Sequence, residues 1–292
     1  MSKSESGAQL LARLGARQSL DGLDPNLFDM PINGQVFQFS GMEGTGKSEL
    51  LLHLLVKCIL PKTWNTLQLG GFGVRVILID CDYKFSVLRL ALVLEKRILK
   101  AVEQSGNATA GEGSSFSIED VEPFIKACLK NLYLIHCSSS QQLLCTVHSV
   151  ETIFSTEPEV SCFMIDSISA FYWPDRCSAG DSALGQEKVM NCIVKSLEKI
   201  VKGYNLVLFV TKAEIFRDRS RDPGKGDNSS NSEDSLVAGY SEYLGKAWGN
   251  FVDQRYVLTK NTVGNKVTFS AVHKSWKCPR QFTISDYGVL FL

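Results

Sequence analysis

The stretch "GMEGTGKSEL" (residues 41–50) stands between the apolar run "VFQFS" (36–40) and the helix-patterned "LLHLLVKCIL" (51–60). Gly41, Gly46, Lys47 and Ser48 fit the spacing G-x-x-x-x-G-K-[ST], in which glycines let backbone N–H groups close around phosphates. Such a loop would hold a nucleotide with Gly41, Met42, Glu43, Gly44, Thr45, Gly46, Lys47 and Ser48. Lys47 would reach the terminal phosphates, and the Ser48 hydroxyl would ligate Mg²⁺. A strand before and a helix after are what the loop requires, and both patterns are present. The expected cofactors are ATP and Mg²⁺.

Outward from the loop, "VRVILID" (74–80), "LYLIHC" (132–137), "SCFMID" (161–166) and "LVLFVT" (206–211) are short, nearly continuous apolar runs. They read as strands buried on both faces, hence a mostly parallel sheet. Between them "SELLLHLLVKCIL", "FSVLRLALVLEKRILKAV", "QQLLCTVHSVETIF" and "QEKVMNCIVKSLEKIVKGY" repeat apolar residues at three- and four-residue spacing, as helices do. Alternating strand and helix predicts an α/β fold with helices on both faces of the sheet. After Thr211, "QRYVLTK", "KVTFSAVHK" and "FTISDYGVLFL" read as successive antiparallel strands extending one edge. The polar stretches 103–117 and 217–235 read as mobile loops. The expected organisation is an N-terminal extension over 1–30 and one core domain over 31–292.

The 292 residues contain 44% hydrophobic residues, ample for a buried core, and 31 basic residues balance 31 acidic ones. A net charge of zero argues against a broad basic surface coating nucleic acid, so any contact with DNA would be local. Nine cysteines without a C-x-x-C pair fit free thiols in a reducing compartment. No apolar run reaches the roughly 18 residues of a membrane span, and the start lacks an apolar signal core. A soluble, intracellular protein is expected.

Several residues carry candidate chemistry. Asp166 ends a buried strand, where a P-loop fold places a second carboxylate that orients the metal, here through water. Asp80 and Asp82 follow "VRVILI". Either could activate an attacking water, on the expectation that this strand lies beside the P-loop strand, or could cap the next helix. Arg217, Arg219 and Arg221 could bind phosphate, but alternate with Asp218 and Asp222 and equally suit a solvated loop. Phe171, Tyr172 and Trp173 could stack on bases or fill a core. The four histidines (53, 136, 148, 273) lie apart, without metal-ligand spacing.

With the P-loop, "ILIDCD", "MIDSISA" and "LVLFVT" in this order, the chain resembles the RecA-like recombinase family. The stretches "ESGAQLLARL", "DPNLF", "CILPK", "IDCDYKF", "CSSS", "DSISAFYW" and "KAW" make it similar to the family's eukaryotic paralogues, over nearly the whole chain outside the two polar loops. The resemblance implies a RecA-like ATPase core and a role in homologous-recombination repair of double-strand breaks, cross-links and stalled forks. It implies a nuclear protein in a mixed complex of recombinase paralogues, with the D-type member as direct neighbour, rather than a homo-oligomer. Such a complex assists the main recombinase on single-stranded or branched DNA. Departures from the pattern matter as well. Active members carry a water-activating glutamate where this chain has Asp82, and an Asn-Gln pair near Thr211 and Lys212. Their first DNA-binding loop has an arginine between glycines, where this chain has "SAGDSALG" (178–185). ATP binding with weak or no hydrolysis is therefore expected. The alternative is a stand-alone P-loop enzyme, either a DNA-stimulated ATPase or a small-molecule kinase.

Overall fold

In the computed structural model, residues 17–106, 120–178, 183–214, 242–264 and 266–292 are described, together with residues 7 and 10. The strands are β1 (Val36–Gly41), a small separate hairpin of β2 (Thr63–Trp64) and β3 (Leu67–Gln68), β4 (Arg75–Asp80), β5 (Leu132–His136), β6 (Val160–Asp166), β7 (Val207–Ala213), β8 (Gln254–Val263), β9 (Lys266–His273), β10 (Arg280–Ser285) and β11 (Gly288–Phe291). The helices are α1 (Lys47–Ile59), α2 (Val87–Gly106), α3 (Val121–Leu129), α4 (Ser140–Thr156), α5 (Tyr172–Ser178), α6 (Ala183–Tyr204) and α7 (Lys246–Phe251). The main sheet has the order β11-β10-β9-β8-β1-β7-β6-β4-β5.

The continuous apolar runs are buried on both faces, as expected of a parallel sheet. Successive residues alternate between two cores. Phe37, Phe39, Leu78, Met164 and Phe209 pack with α1 and α2, whereas Val36, Ile77, Phe163, Ile165 and Leu208 pack with α4 and α6. From Leu20 onward, the stretch expected as an extension belongs to the first core: Leu20, Leu23, Leu27 and Phe28 are buried, and Phe28 lies edge-on to Phe37 with ring centres 4.9 Å apart.

A buried polar cluster fastens this segment to α1. Asp24 is fully buried and accepts hydrogen bonds from His53 Nε2 at 2.6 Å and Lys57 Nζ at 2.8 Å. On the other side of the His53 ring, Arg97 Nη2 of α2 lies 2.6 Å from Nδ1. Arginine can only donate, so His53 is neutral, with its proton on Nε2 facing Asp24.

Four expectations need correction. β4 does not lie beside β1, because β7 and β6 stand between them. β8 joins the sheet parallel to β1, with Phe37 opposite Gln254, and only its pairing with β9 is antiparallel. "FTISDYGVLFL" is two strands, β10 and β11, separated at Asp286 and Tyr287. The polar stretch beginning at 103 starts as helix, since α2 runs to Gly106. Residues 107–117 and 217–235 of the expected loops lie outside the described residues, as do Arg217, Arg219 and Arg221.

Candidate nucleotide-binding site

β1, β7, β6 and β4 end at one edge of the sheet, with Gly41 opposite Ala213 and Asp80 opposite Asp166. The P-loop leaves β1 at Gly41 and enters α1 at Lys47. Gly46 sits at the helix start with φ +84°, a conformation that glycine adopts at no steric cost. A Cβ there would also lie 3.0 Å from Ile284 Cδ1. At Gly41 a Cβ would come within 2.7 Å of Thr45 Oγ1, so the loop closes only around glycine. Thr45 donates its hydroxyl proton to Met42 O at 2.8 Å and fixes the turn from inside.

Beside the loop opens a cleft of about 530 Å³. Glu43, Gly44, Gly46, Lys47, Ser48, Asp82 and Asp166 all line it. The structure thus gathers these sequence-predicted residues at one place. Lys47 Nζ lies across the loop, donating to Gly41 O at 2.9 Å and Met42 O at 2.7 Å. Burial lowers its pKa, against the opposing pull of Asp166 and Glu43. Met42 is 38% exposed, and Glu43 pairs with Lys84 at 3.4 Å across the mouth.

The two aspartates of the β4 end divide their roles. Asp80 is buried and accepts from the backbone N–H groups of Asp82 (3.2 Å) and Phe85 (3.1 Å), which shapes the loop into α2. Asp82, on that loop, lines the cleft although β4 is three strands from β1. Asp166 is buried at the cleft floor, hydrogen-bonded by the Thr211 and Ser48 hydroxyls. Burial raises its pKa, and those two hydrogen bonds oppose the rise. Burial also raises the Asp82 pKa, and the Asp166 charge adds to it.

These residues fit a phosphate and a divalent cation on their own chemistry. Gly41 and Gly46 leave no room for an unstrained side chain, the lysine is a partly desolvated cation, and two carboxylates with raised pKa face one cleft beside a hydroxyl. A cation beside Asp166 and Ser48 would favour the charged form of both carboxylates and so oppose the effect of their burial.

Other parts were not legible in the motif. Arg89 binds Glu49 through Nε at 3.2 Å and Nη2 at 3.0 Å, and donates to Ser285 O at 2.6 Å, strapping α2 to α1 and the end of β10. Phe269 and Ile284 form the apolar wall of the cleft. Phe171 and Tyr172 are core residues, whereas Trp173 is 48% exposed. Among the described residues no group of histidine, cysteine or acidic side chains could hold a metal by itself.

No family model matches the chain. Over 99% of its length it is 38% identical to the mouse protein called DNA repair protein XRCC2, of which 98% is covered. It is also 28% identical to the Arabidopsis thaliana protein called DNA repair protein XRCC2 homolog, over 88% of this chain and 77% of that one.

Proposed function

Since the chain belongs to the family of DNA repair protein XRCC2, we propose that it serves DNA repair by homologous recombination as a nucleotide-holding subunit. The observation that carries the nucleotide part is the P-loop cleft with Lys47, Ser48 and Asp166 gathered around it. Gly41 to Ser48 would bind the phosphates of ATP, with Lys47 leaving its carbonyl partners for the terminal groups. Ser48 would ligate Mg²⁺ and Asp166 would orient it through water. Bound Mg²⁺ would neutralise phosphate charge.

Weak or absent hydrolysis would follow from Asp82, which stands where active RecA-like recombinases carry a glutamate. Asp82 is one methylene shorter, and a general base must come within hydrogen-bond reach of the proton it takes. The working partners would be other recombinase paralogues, with the D-type member adjacent, and single-stranded or branched DNA met through that complex in the nucleus. No helix among the described residues is long and apolar enough to cross a membrane.

The test is co-purification with each candidate paralogue, followed by identification of the nucleotide carried along. Lys47→Ala is scored beside the wild type for partner binding and for cross-link survival of repair-deficient cells. A wild-type chain that binds no recombinase paralogue overturns the partner reading, and one that carries no nucleotide overturns the cleft reading. Robust turnover by the chain alone, abolished by Asp82→Asn, would favour a stand-alone enzyme.

A further inference from the structure

Strand β7 outruns its neighbour β6. The two pair in register as far as Ile165 and Val210, and β6 ends at Asp166, whereas β7 continues to Ala213, opposite Gly41 of β1. Within a strand a residue's own N–H and C=O point to the same side, so those of Ala213 face the place beyond the end of β6. Two side chains take over from the missing strand. Ser169 Oγ accepts from the Ala213 N–H at 2.9 Å, and the Tyr243 hydroxyl donates to the Ala213 carbonyl. Ser169 also hydrogen-bonds the Tyr243 oxygen, and its Oγ lies 2.9 Å from Ser167 Oγ. The Tyr243 ring packs against the Lys212 ammonium, 4.2 Å from its centre, and edge-on to Tyr172 at 4.8 Å. Ser167 and Ala213 both line the P-loop cleft.

What shares a peptide plane with that carbonyl gives the contact its consequence. The Ala213–Glu214 peptide is planar, so its N–H points away from its C=O, toward β1. There it donates to Gly41 O at 3.0 Å. Gly41 O is also where Lys47 Nζ rests, at 2.9 Å. When Lys47 leaves for a terminal phosphate, the Glu214 N–H is the donor that stays on this buried carbonyl. A buried carbonyl that loses its donors costs the full penalty of its desolvation.

We infer that Tyr243 is a positioning residue for the phosphate loop: its hydroxyl fixes the Ala213–Glu214 peptide, so that Gly41 O keeps a donor once Lys47 has moved onto a nucleotide. The inference rests on the nucleotide-holding reading of the cleft. In the empty cleft Lys47 itself satisfies Gly41 O, so loss of the Tyr243 hydroxyl should burden the nucleotide-bound state most. The test compares the full wild-type chain with Tyr243→Phe, which keeps the ring and its contacts, and with Tyr172→Phe. The latter removes a neighbouring hydroxyl, which accepts from Arg176 Nη1 at 2.9 Å, from the same aromatic cluster. Without nucleotide, exchange of the Glu214 amide, read by NMR, should be about fivefold faster in Tyr243→Phe, the worth of one hydrogen bond. Binding of Mg²⁺ with a non-hydrolysable ATP analogue, by calorimetry, should weaken about fivefold in the same variant. Tyr172→Phe should do neither. Wild-type Glu214 exchange or wild-type affinity in Tyr243→Phe overturns the inference, as does an equal loss of affinity in Tyr172→Phe. A wild type that binds no analogue overturns the nucleotide reading, and with it the inference, even where Glu214 exchange responds.

Discussion

Replacing His53 by glutamine should flatten the acid limb of this protein's stability curve, by an amount that follows from the ring's two contacts. Arg97 donates to Nδ1, and Nε2–H donates to Asp24. Protonating Nδ1 would break the first bond and set an imidazolium against a guanidinium. Burial and Arg97 accordingly push the His53 pKa down to about 4, although Asp24 pulls the other way. Against the 6.5 of an ordinary histidine, protonating the folded ring costs about 3 kcal/mol more than protonating the unfolded one. The folded pKa is below the unfolded one, so between them the unfolded chain binds more protons and stability rises with pH. The contribution is complete above pH 6.5 and is lost as pH falls to about 4.

Asp24 does not blur this window. His53 and Lys57 hold its carboxyl well below the usual range, so its share is lost only below the unfolded carboxylate pKa. Asp82 and Asp166, with raised pKa values, act in the opposite sense, since their burden on the fold eases as pH falls. They are present in both proteins and cancel in the comparison. Glutamine can copy neutral His53, its amide donating to Asp24 and its oxygen accepting from Arg97. Urea unfolding followed by tryptophan fluorescence, between about pH 7 and about pH 4.5, measures the difference. The wild type should lose about 2–3 kcal/mol more than His53→Gln over that range. A stability difference that stays constant with pH would refute the assignment of neutral His53.

Three further outcomes probe the cleft. Asp166→Asn removes a buried carboxylate whose pKa is raised; without nucleotide it should melt about 2–4 °C higher by calorimetry, while its Mg²⁺-dependent nucleotide binding falls. Gly46→Ala forces a side chain into φ +84° and against Ile284; it should cost about 1–2 kcal/mol by denaturant titration and abolish nucleotide binding. Asp82→Glu restores the missing methylene; if reach alone limits hydrolysis, phosphate release should rise about tenfold or more, and an unchanged rate would show that reach is not the limit.

The strands and the P-loop were legible because both are local. Continuous apolar runs can only be buried strands or helices, and a G-x-x-x-x-G-K-S run between strand and helix has few other uses. What the sequence hid was pairing. The neighbours of β4 and the direction of β8 are set by crossover connections over long stretches, and no local pattern encodes them. Asp82 therefore reaches the cleft by way of its loop rather than by lying next to β1. The polar cluster was hidden for a different reason. His53 and Lys57 stand one helical turn apart on α1, a spacing that can present two groups to one partner. Asp24, the partner, lies in a stretch that reads as an extension, so nothing in the local pattern joined it to the helix.

The end of β7 decides how the cleft and the far face relate. Thr211 is buried, and its hydroxyl is committed to Asp166. The next residue points the other way, and Lys212 is buried with its ammonium 2.7 Å from Glu242 and 4.2 Å from the Tyr243 ring centre. Burial pushes its pKa down to about 8, against the pull of Glu242, so deprotonation becomes accessible only on the alkaline side of neutrality. An amide pair at these positions could both donate to a terminal phosphate and accept from the backbone beyond. Here one side chain steadies the carboxylate at the cleft floor and the other closes an ion pair on the opposite face. Releasing Lys212 to follow a phosphate would leave Glu242 partly buried without its cation, a cost of several kcal/mol for a buried pair. The strand that would relay phosphate state in an ATP-driven switch is instead pinned on both faces. Under the proposed function, such pinning would let a bound nucleotide be retained rather than cycled.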